Sequence, residues 1–433
     1  MSAADSRPIG VVGAGVCGLF TTRRLLELGL PVEVIERRSD LGGLWNRDPR
    51  YGGVYRSAHL ISSKHSTELA DFPMPDDYPD YPNHRQVLNY LERFAARYDL
   101  RRHITFGRQV ERAQPLEDGG WQVELDDGSQ REYAALVIAN GHHWDPVKPP
   151  VSEAEFDGLT LHSADYHTPE IFADRRVVVV GLGNTACDVA VDAVYAGAEV
   201  TMSVRGGNQL IPKYLLGQPV DQLNKGGGGL LAKLPASWRN KLQSRLIQKL
   251  AGAPESFGLP TPAHKLYERQ PLVNSLLSYH LGHGDIRIKP PVTALRNSTV
   301  VFADGSEEKA DVVVWCTGYR VSIPFLDVRA DLEGDEQGRP RLWQNMFHPR
   351  RDDVVVVGMV DPFGSFTAFD TQAHLAARHL HAALGPGGSP LRPLITAAPP
   401  APTDGPDRDW LFRDRSYVDN LKGYLERFGV TTR

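Results

Sequence analysis

At two places along this chain, short apolar runs give way to helical spacing, and both changes occur at a glycine turn. Ile9-Gly10-Val11-Val12 ends at Gly13, and helical spacing follows through Leu19, Leu25, Leu26 and Leu28. Gly29 stops the helix, and Val32 to Ile35 forms a second β-branched run. The same sequence of events recurs at 176–205. Val177 to Val180 leads to a glycine turn, a helix reaches about Ala196, Gly197 stops it, and Val200 to Val204 follows. Each stretch predicts a strand–helix–strand unit of a parallel sheet. Two such units about 170 residues apart argue against a short-period repeat array.

Between the units the pattern predicts a helix over 85–98 and β-hairpin structure from Trp121–Leu125 with Gln130–Ile138. Pro146, Pro149 and Pro150 mark a linker. Val312–Trp315 and Val354–Val357 are further buried-strand candidates. The stretch 385–407 is rich in Pro, Gly and Ala and reads as loop, and 410–428 reads as a terminal amphipathic helix. Within 222–253, Lys225, Lys233, Arg239, Lys241, Arg245 and Lys249 occur without an acid, over a Leu234-Trp238-Leu242-Leu246-Leu250 stripe. A solvated basic face over a core-packing stripe is the preferred reading; a membrane-surface helix or a substrate lid is the alternative.

Composition narrows the function classes. The 433 residues hold 48 basic and 53 acidic side chains, a net charge of −5, so no global basic field invites nucleic acid. No apolar run approaches the roughly 20 residues of a membrane span. Met1 to Arg7 lack an apolar signal core, so the expected location is cytoplasmic. Cys17, Cys187 and Cys316 form no C-x-x-C pair, which argues against dithiol chemistry and suits a reducing compartment. Cys17 and Cys187, inside helix-starting turns, read as small packing residues. No metal-ligand set is read from the sequence. The 41 glycines are the positive clue, because glycine matters where backbone must approach a ligand.

Gly13-Ala14-Gly15-Val16-Cys17-Gly18 is G-x-G-x-x-G between a strand and a helix. The first glycine makes the turn, the second admits a pyrophosphate and the third lets helix and strand pack closely. The phosphates then meet the free N–H groups of a helix N-terminus. Glu36, 23 residues after Gly13, suits a ribose 2′-hydroxyl and repels a 2′-phosphate, which fits a cofactor with a free ribose, such as FAD. Gly181-Leu182-Gly183-Asn184-Thr185-Ala186 repeats the turn with Ala third. Its strand-end residue, Arg205, suits the 2′-phosphate of NADPH, with Lys213 second; a plain solvated charge is the alternative for Arg205. Two dinucleotide sites on one chain imply hydride transfer from nicotinamide to flavin.

Further motifs carry a family resemblance over roughly residues 8–385. Phe156-x-Gly158-x-x-x-His162-x-x-x-Tyr166 precedes the second unit. Gly42-Gly43-Leu44-Trp45, Tyr55-Arg56-Ser57, Lys64, Asp71-Phe72-Pro73 and Cys316-Thr317-Gly318-Tyr319 accompany the two turns. Together they resemble the flavin-containing monooxygenases, the class B flavoprotein monooxygenases. The related Baeyer–Villiger monooxygenases usually carry Trp where Tyr166 stands, so the resemblance leans to oxygenation of nitrogen or sulfur. It implies an α/β fold of two Rossmann-like dinucleotide-binding domains. The FAD domain would cover 1–150 and 320–433, with an NADPH domain inserted at 151–319.

The resemblance also implies chemistry: NADPH reduces FAD, O₂ adds at the flavin C4a carbon, and the hydroperoxide passes one oxygen to a small nucleophilic substrate. Insertion beside a carbonyl is a second chemistry on the same scaffold, and a non-oxygenating reductase or redox-sensing protein is a reading from another class. The resemblance places Arg37, Gly43, Leu44, Trp45, Ser62, Ser63, Val110 and Gln372 at FAD, and Thr317 and Gly318 at NADPH. Ser62, Ser63 and Lys64 are its candidate catalytic contacts, and for Lys64 a structural role is equally open. His162 reads either as a hinge that positions NADPH or as a structural histidine. The oligomeric state is open, a homodimer included. The family usually places Asn three residues before the Lys; this chain has Ile61 there. Replacing Ile61→Asn is expected to change the fraction of NADPH lost to hydrogen peroxide or the oxygenation rate. Unchanged values of both would show that the position does not contact flavin.

Overall fold

The computed structural model describes residues 6–48, 50–223, 245–266, 268–362, 365–398, 411–413 and 415–431. Two five-stranded parallel sheets organise it. The first runs in the order 354–356, 135–138, 9–12, 32–36, 104–106. Its central strand pairs Ile9 with Val32 on one side and with Ala135 on the other. The second sheet runs in the order 286–289, 199–203, 176–180, 312–315, 159–162. There Val177 pairs with Val200 and with Val312. Helices cover faces that all-apolar strands would otherwise expose, the reason parallel strands read as continuous apolar runs.

The two sheets share one plan, yet their edge strands come from opposite directions. Val354–Val356 arrives late in the chain to complete the first sheet, whereas Leu159–His162 arrives before the rest of the second. Leu159–His162 holds the middle of the Phe156–Tyr166 signature, so that motif builds a sheet edge. A Cβ at Gly158 would lie 2.6 Å from the Asp311 carbonyl, which explains a glycine where the strand joins its neighbour.

Helices Val16–Glu27 and Ser365–Ala383 pack together over the first sheet, and Arg24 Nη2 meets Asp370 Oδ2 at 2.5 Å. Phe20, Phe94 and Phe366 fill the space between them and helix His84–Arg97. Asn83 caps that last helix, accepting from the N–H groups of Arg85 and Gln86, while the Gln86 side chain accepts from Asn83 N–H.

Three expectations change. The run 130–138 is two strands: Gln130–Tyr133 pairs antiparallel with Trp121–Leu125, while Ala135–Ile138 enters the parallel sheet. The break falls at Ala134, whose N–H donates to the Pro8 carbonyl. Within the proposed loop 385–407, Arg392–Ala397 is a helix, anchored by buried Ile395. In the basic segment, 224–244 lie outside the described residues. Over 245–251, Ile247 is buried whereas Leu246 and Leu250 of the leucine stripe are exposed. Among the described residues no helix is long and apolar enough to cross a membrane.

One ion pair ties the starts of two central strands. Asp311 accepts from Arg176 N at 2.8 Å, Nε at 2.9 Å and Nη2 at 2.6 Å. The Arg176 side-chain and backbone hydrogen bonds hold the Asp311 carboxyl at about 2, below its ordinary 3.8. A lowered acid stabilises the folded state above its unfolded value and loses that contribution as pH falls toward the folded one. Urea midpoints of the wild type are therefore expected to fall more steeply between pH 4 and pH 2 than those of Asp311→Asn. Parallel acid limbs would show that the pair does not contribute.

Candidate functional site

Both glycine turns open on one cavity of about 690 Å³. Gly13, Gly15, Val16 and Cys17 line it from the first turn, and Gly183, Asn184 and Thr185 from the second. Glu36 and Arg37 line it from a strand end, Val110 from the start of strand Val110–Pro115, Gly43, Leu44 and Trp45 from a short 3-10 turn, and Ile61, Ser62 and Gly318 from loops. Gly13 and Gly181 adopt φ of +104° and +129°, where an added Cβ would lie 2.6 Å from the Ala139 carbonyl and 2.3 Å from that of Cys316. Only glycine allows each strand to turn so close to its neighbour. At Gly18 the helix packs tightly enough that a Cβ would overlap the Gly13 carbonyl.

The Glu36 carboxylate is buried and holds the first turn in shape. It accepts from Ala14 N–H at 2.7 Å and from Arg38 N–H at 2.8 Å, one bond to each oxygen. Each oxygen keeps a second lone pair. Arg37 lies between the rings of Tyr51 and Trp144, 4.6 and 4.8 Å from their centroids, a cation–π arrangement that fixes it at the cavity wall. Phe325, Val360, Phe366 and Phe369 supply an apolar wall.

A set of partly buried hydrogen bonds sets the second turn relative to the first. Helix Asn184–Tyr195 starts at the second turn and presents Asp188 and Asp192 one helical turn apart. Tyr55 donates to Asp188 at 2.7 Å, and Ser57 donates to Asp192 at 2.5 Å. Tyr166 donates to the same Asp192 oxygen at 2.6 Å and stacks on Phe172. Arg56 N–H donates to the His167 carbonyl, and its guanidinium pairs with Glu170. Burial raises the Asp188 carboxyl above its ordinary range, and burial beside Asp188 raises the Tyr55 phenol as well. Asn184 bonds the Pro271 carbonyl and Val273 N–H, locking the turn to the 271–273 segment.

Several residues singled out from sequence stand behind the cavity instead of on its wall. Lys64 is buried, and its ammonium donates to the carbonyls of Pro75, Asp76 and Tyr78 at 3.3, 3.0 and 2.7 Å. That saturates its three donors, a structural role. Ser63 is buried between Asp221, which accepts its N–H, and Gln222, which donates to its hydroxyl. Ser62 does line the cavity, with its hydroxyl 2.7 Å from that of Thr67. Gln372 is buried; it accepts from Gly358 N–H and donates to Tyr417, so it shapes the wall through Gly358. Thr317 donates to the Val147 carbonyl. Ala14, Gly18, Gly181, Leu182 and Ala186 shape the turns without lining the cavity. Arg205 is exposed beyond strand Glu199–Ser203, and the Lys213 ammonium lies over the Tyr81 ring. His162 is buried at a strand end, accepts from Ala164 N–H and meets the Tyr319 ring edge-on. Phe156 packs against the second core layer.

The match to known families agrees with this geometry. The family described as flavin-binding monooxygenase-like matches residues 6–385. The chain belongs to the flavin-binding monooxygenase-like family. The rat protein named dimethylaniline monooxygenase [N-oxide-forming] 2 is 31% identical over 393 residues, covering 86% of this chain and 73% of the relative. Human flavin-containing monooxygenase 1 is 31% identical over 397 residues, covering 87% and 74%. Among solved structures, S-allyl-L-cysteine S-oxygenase from Allium sativum has a TM-score of 0.68 at 21% identity, covering 97% and 88%. An open cyclohexanone monooxygenase has 0.71 at 19% identity, covering 98% and 97%. These two structures share the fold. Membership makes this flavin-binding monooxygenase an enzyme of the flavin- and NADPH-dependent class, with FAD and NADPH as cofactors.

Asp188 and Asp192 were not picked out from sequence. Their signal was two acids four apart in an otherwise apolar helix. His142, His143, Trp144 and Asp361 also line the cavity and were missed, since Asp361 is remote in sequence from the other three. Tyr166→Phe and Ser57→Ala are each expected to cost about 1–3 kcal/mol by urea denaturation, because each leaves Asp192 one donor short. Since both serve one oxygen, the double variant should depart from additivity. Strict additivity would show that the two donors act independently.

Proposed function

We propose that this chain is an NADPH- and O₂-dependent flavoprotein monooxygenase that transfers one oxygen atom to a nitrogen or sulfur of a small molecule. The observation that carries the reading is that two dinucleotide turns open on a single cavity. In this proposal residues 1–150 and 320–433 form the FAD domain and 151–319 the NADPH domain. The FAD pyrophosphate rests on Gly13–Gly18, and the free lone pairs of Glu36 accept from the ribose hydroxyls. Gly183, Asn184 and Thr185 receive the NADPH pyrophosphate, with Arg205 for the 2′-phosphate. Trp45, Ile61, Ser62 and Gly318 of the cavity lining would hold the flavin ring. Bound FAD supplies the oxygen chemistry, through a C4a-hydroperoxyflavin.

The protein's own work is to orient the two cofactors and keep water out. The apolar wall of Phe325, Val360, Phe366 and Phe369 serves exclusion. Tyr166 in the signature, together with the N-oxide-forming relatives, supports a nitrogen or sulfur acceptor.

The test is NADPH consumption under ¹⁸O₂ with amines, sulfides, hydroxylamines and ketones, followed by product mass and connectivity. One ¹⁸O on nitrogen or sulfur is expected. One ¹⁸O inserted beside a carbonyl would replace this chemistry with Baeyer–Villiger oxygenation. Stoichiometric peroxide and no labelled product with every substrate would overturn the monooxygenase reading in favour of a reductase.

A further inference from the structure

We propose that His142, His143 and Asp361 form a binding site for a divalent transition metal on the cavity wall, and that an ion held there inhibits the enzyme. The sheet topology brings the three together. Strands Ala135–Ile138 and Val354–Val356 are adjacent and parallel, and the residues follow their C-terminal ends. All three line the cavity.

The donor set and its geometry suit such an ion. His142 Nε2 lies 3.0 Å from Asp361 Oδ1, and the two imidazole centroids are 4.4 Å apart. One donor atom from each residue lies within 4.8 Å of the other two. Tetrahedral Zn²⁺ with bonds of about 2.0–2.1 Å holds its ligand atoms roughly 3.3–3.4 Å apart. The His142–Asp361 pair, hydrogen-bonded at 3.0 Å, needs to open by only a few tenths of an ångström to reach that spacing. The third donor closes the remainder by rotation of His143, whose side chain is on the exposed side. Imidazole with carboxylate favours Zn²⁺, Ni²⁺, Co²⁺ or Cu²⁺ over the oxygen-preferring Mg²⁺ and Ca²⁺.

Three protein ligands leave a fourth position open toward the cavity. Water or a substrate nitrogen or sulfur would fill it, so an ion there obstructs the cavity instead of bracing the fold. Between ions, Asp361 retains His142 as its hydrogen-bond partner.

Calorimetric titration of ZnCl₂ into the FAD-loaded, tag-free chain tests the site. One Zn²⁺ per chain is expected, with NADPH oxidation falling over the same concentration range. His143→Ala and Asp361→Asn should each weaken binding by about tenfold or more, and shift inhibition equally. Cu²⁺ on the wild type should show electron-paramagnetic superhyperfine splitting from imidazole nitrogens, a readout independent of any variant. No saturable binding, unchanged affinity in both variants, or a Cu²⁺ signal without nitrogen coupling would overturn the proposal. Binding is read without turnover, so its failure is distinct from failure of the oxygenation reading.

Discussion

Two carboxylates on one helix fix the relation between the glycine turns. Asp188 and Asp192 stand on the helix that begins at the second turn, and both accept from the Tyr55–Ser57 segment that follows the first. Carboxylates removed from water are costly unless hydrogen-bonded, and these partly buried ones have two donors each: Tyr55 and Asn274 on Asp188, Ser57 and Tyr166 on Asp192. The cost of leaving a donor out makes the arrangement specific. Any slide of one sheet past the other would leave a partly buried carboxylate short of its donors. Residues away from the cavity wall thereby set the distance between the two glycine turns.

The same constraint gives meaning to motif residues that do not line the cavity. The Phe156–Tyr166 signature builds an edge strand, passes the tight spot at Gly158 and ends with Tyr166 on Asp192. Tyr55-Arg56-Ser57 supplies the opposing donors and pairs with His167 and Glu170 just beyond the signature. Lys64 and Gln372 act one layer out, the first by gathering three carbonyls, the second by holding Gly358 against the cavity. The side chains of these motifs thus do structural work.

Much of the fold was legible because period and punctuation agree. The β-branched runs, the helical leucines after Gly13 and the stopping glycines at 29 and 197 mark both strand–helix–strand units locally. The edge strand Leu159–His162 was not legible as a strand, since only pairing with Val312–Trp315 makes it one. The division at Ala134 was hidden because the apolar pattern runs on unbroken through it. The site was legible where backbone geometry demands glycine and where a charge ends a strand, at Glu36. It was not legible where neighbours in space are remote in sequence, as with Asp361 beside His142. Nor does a sequence show which way a buried Lys64 points.

Because the two turns face one cavity, nicotinamide is expected to reach flavin within a single chain. Anaerobic mixing of the FAD-loaded enzyme with NADPH tests it most directly, followed by loss of the oxidised flavin absorbance. Complete first-order reduction at one NADPH per flavin is expected, independent of enzyme concentration and without a mediator. Flavin that stays oxidised, or is reduced only when a mediator or second protein is added, would contradict it.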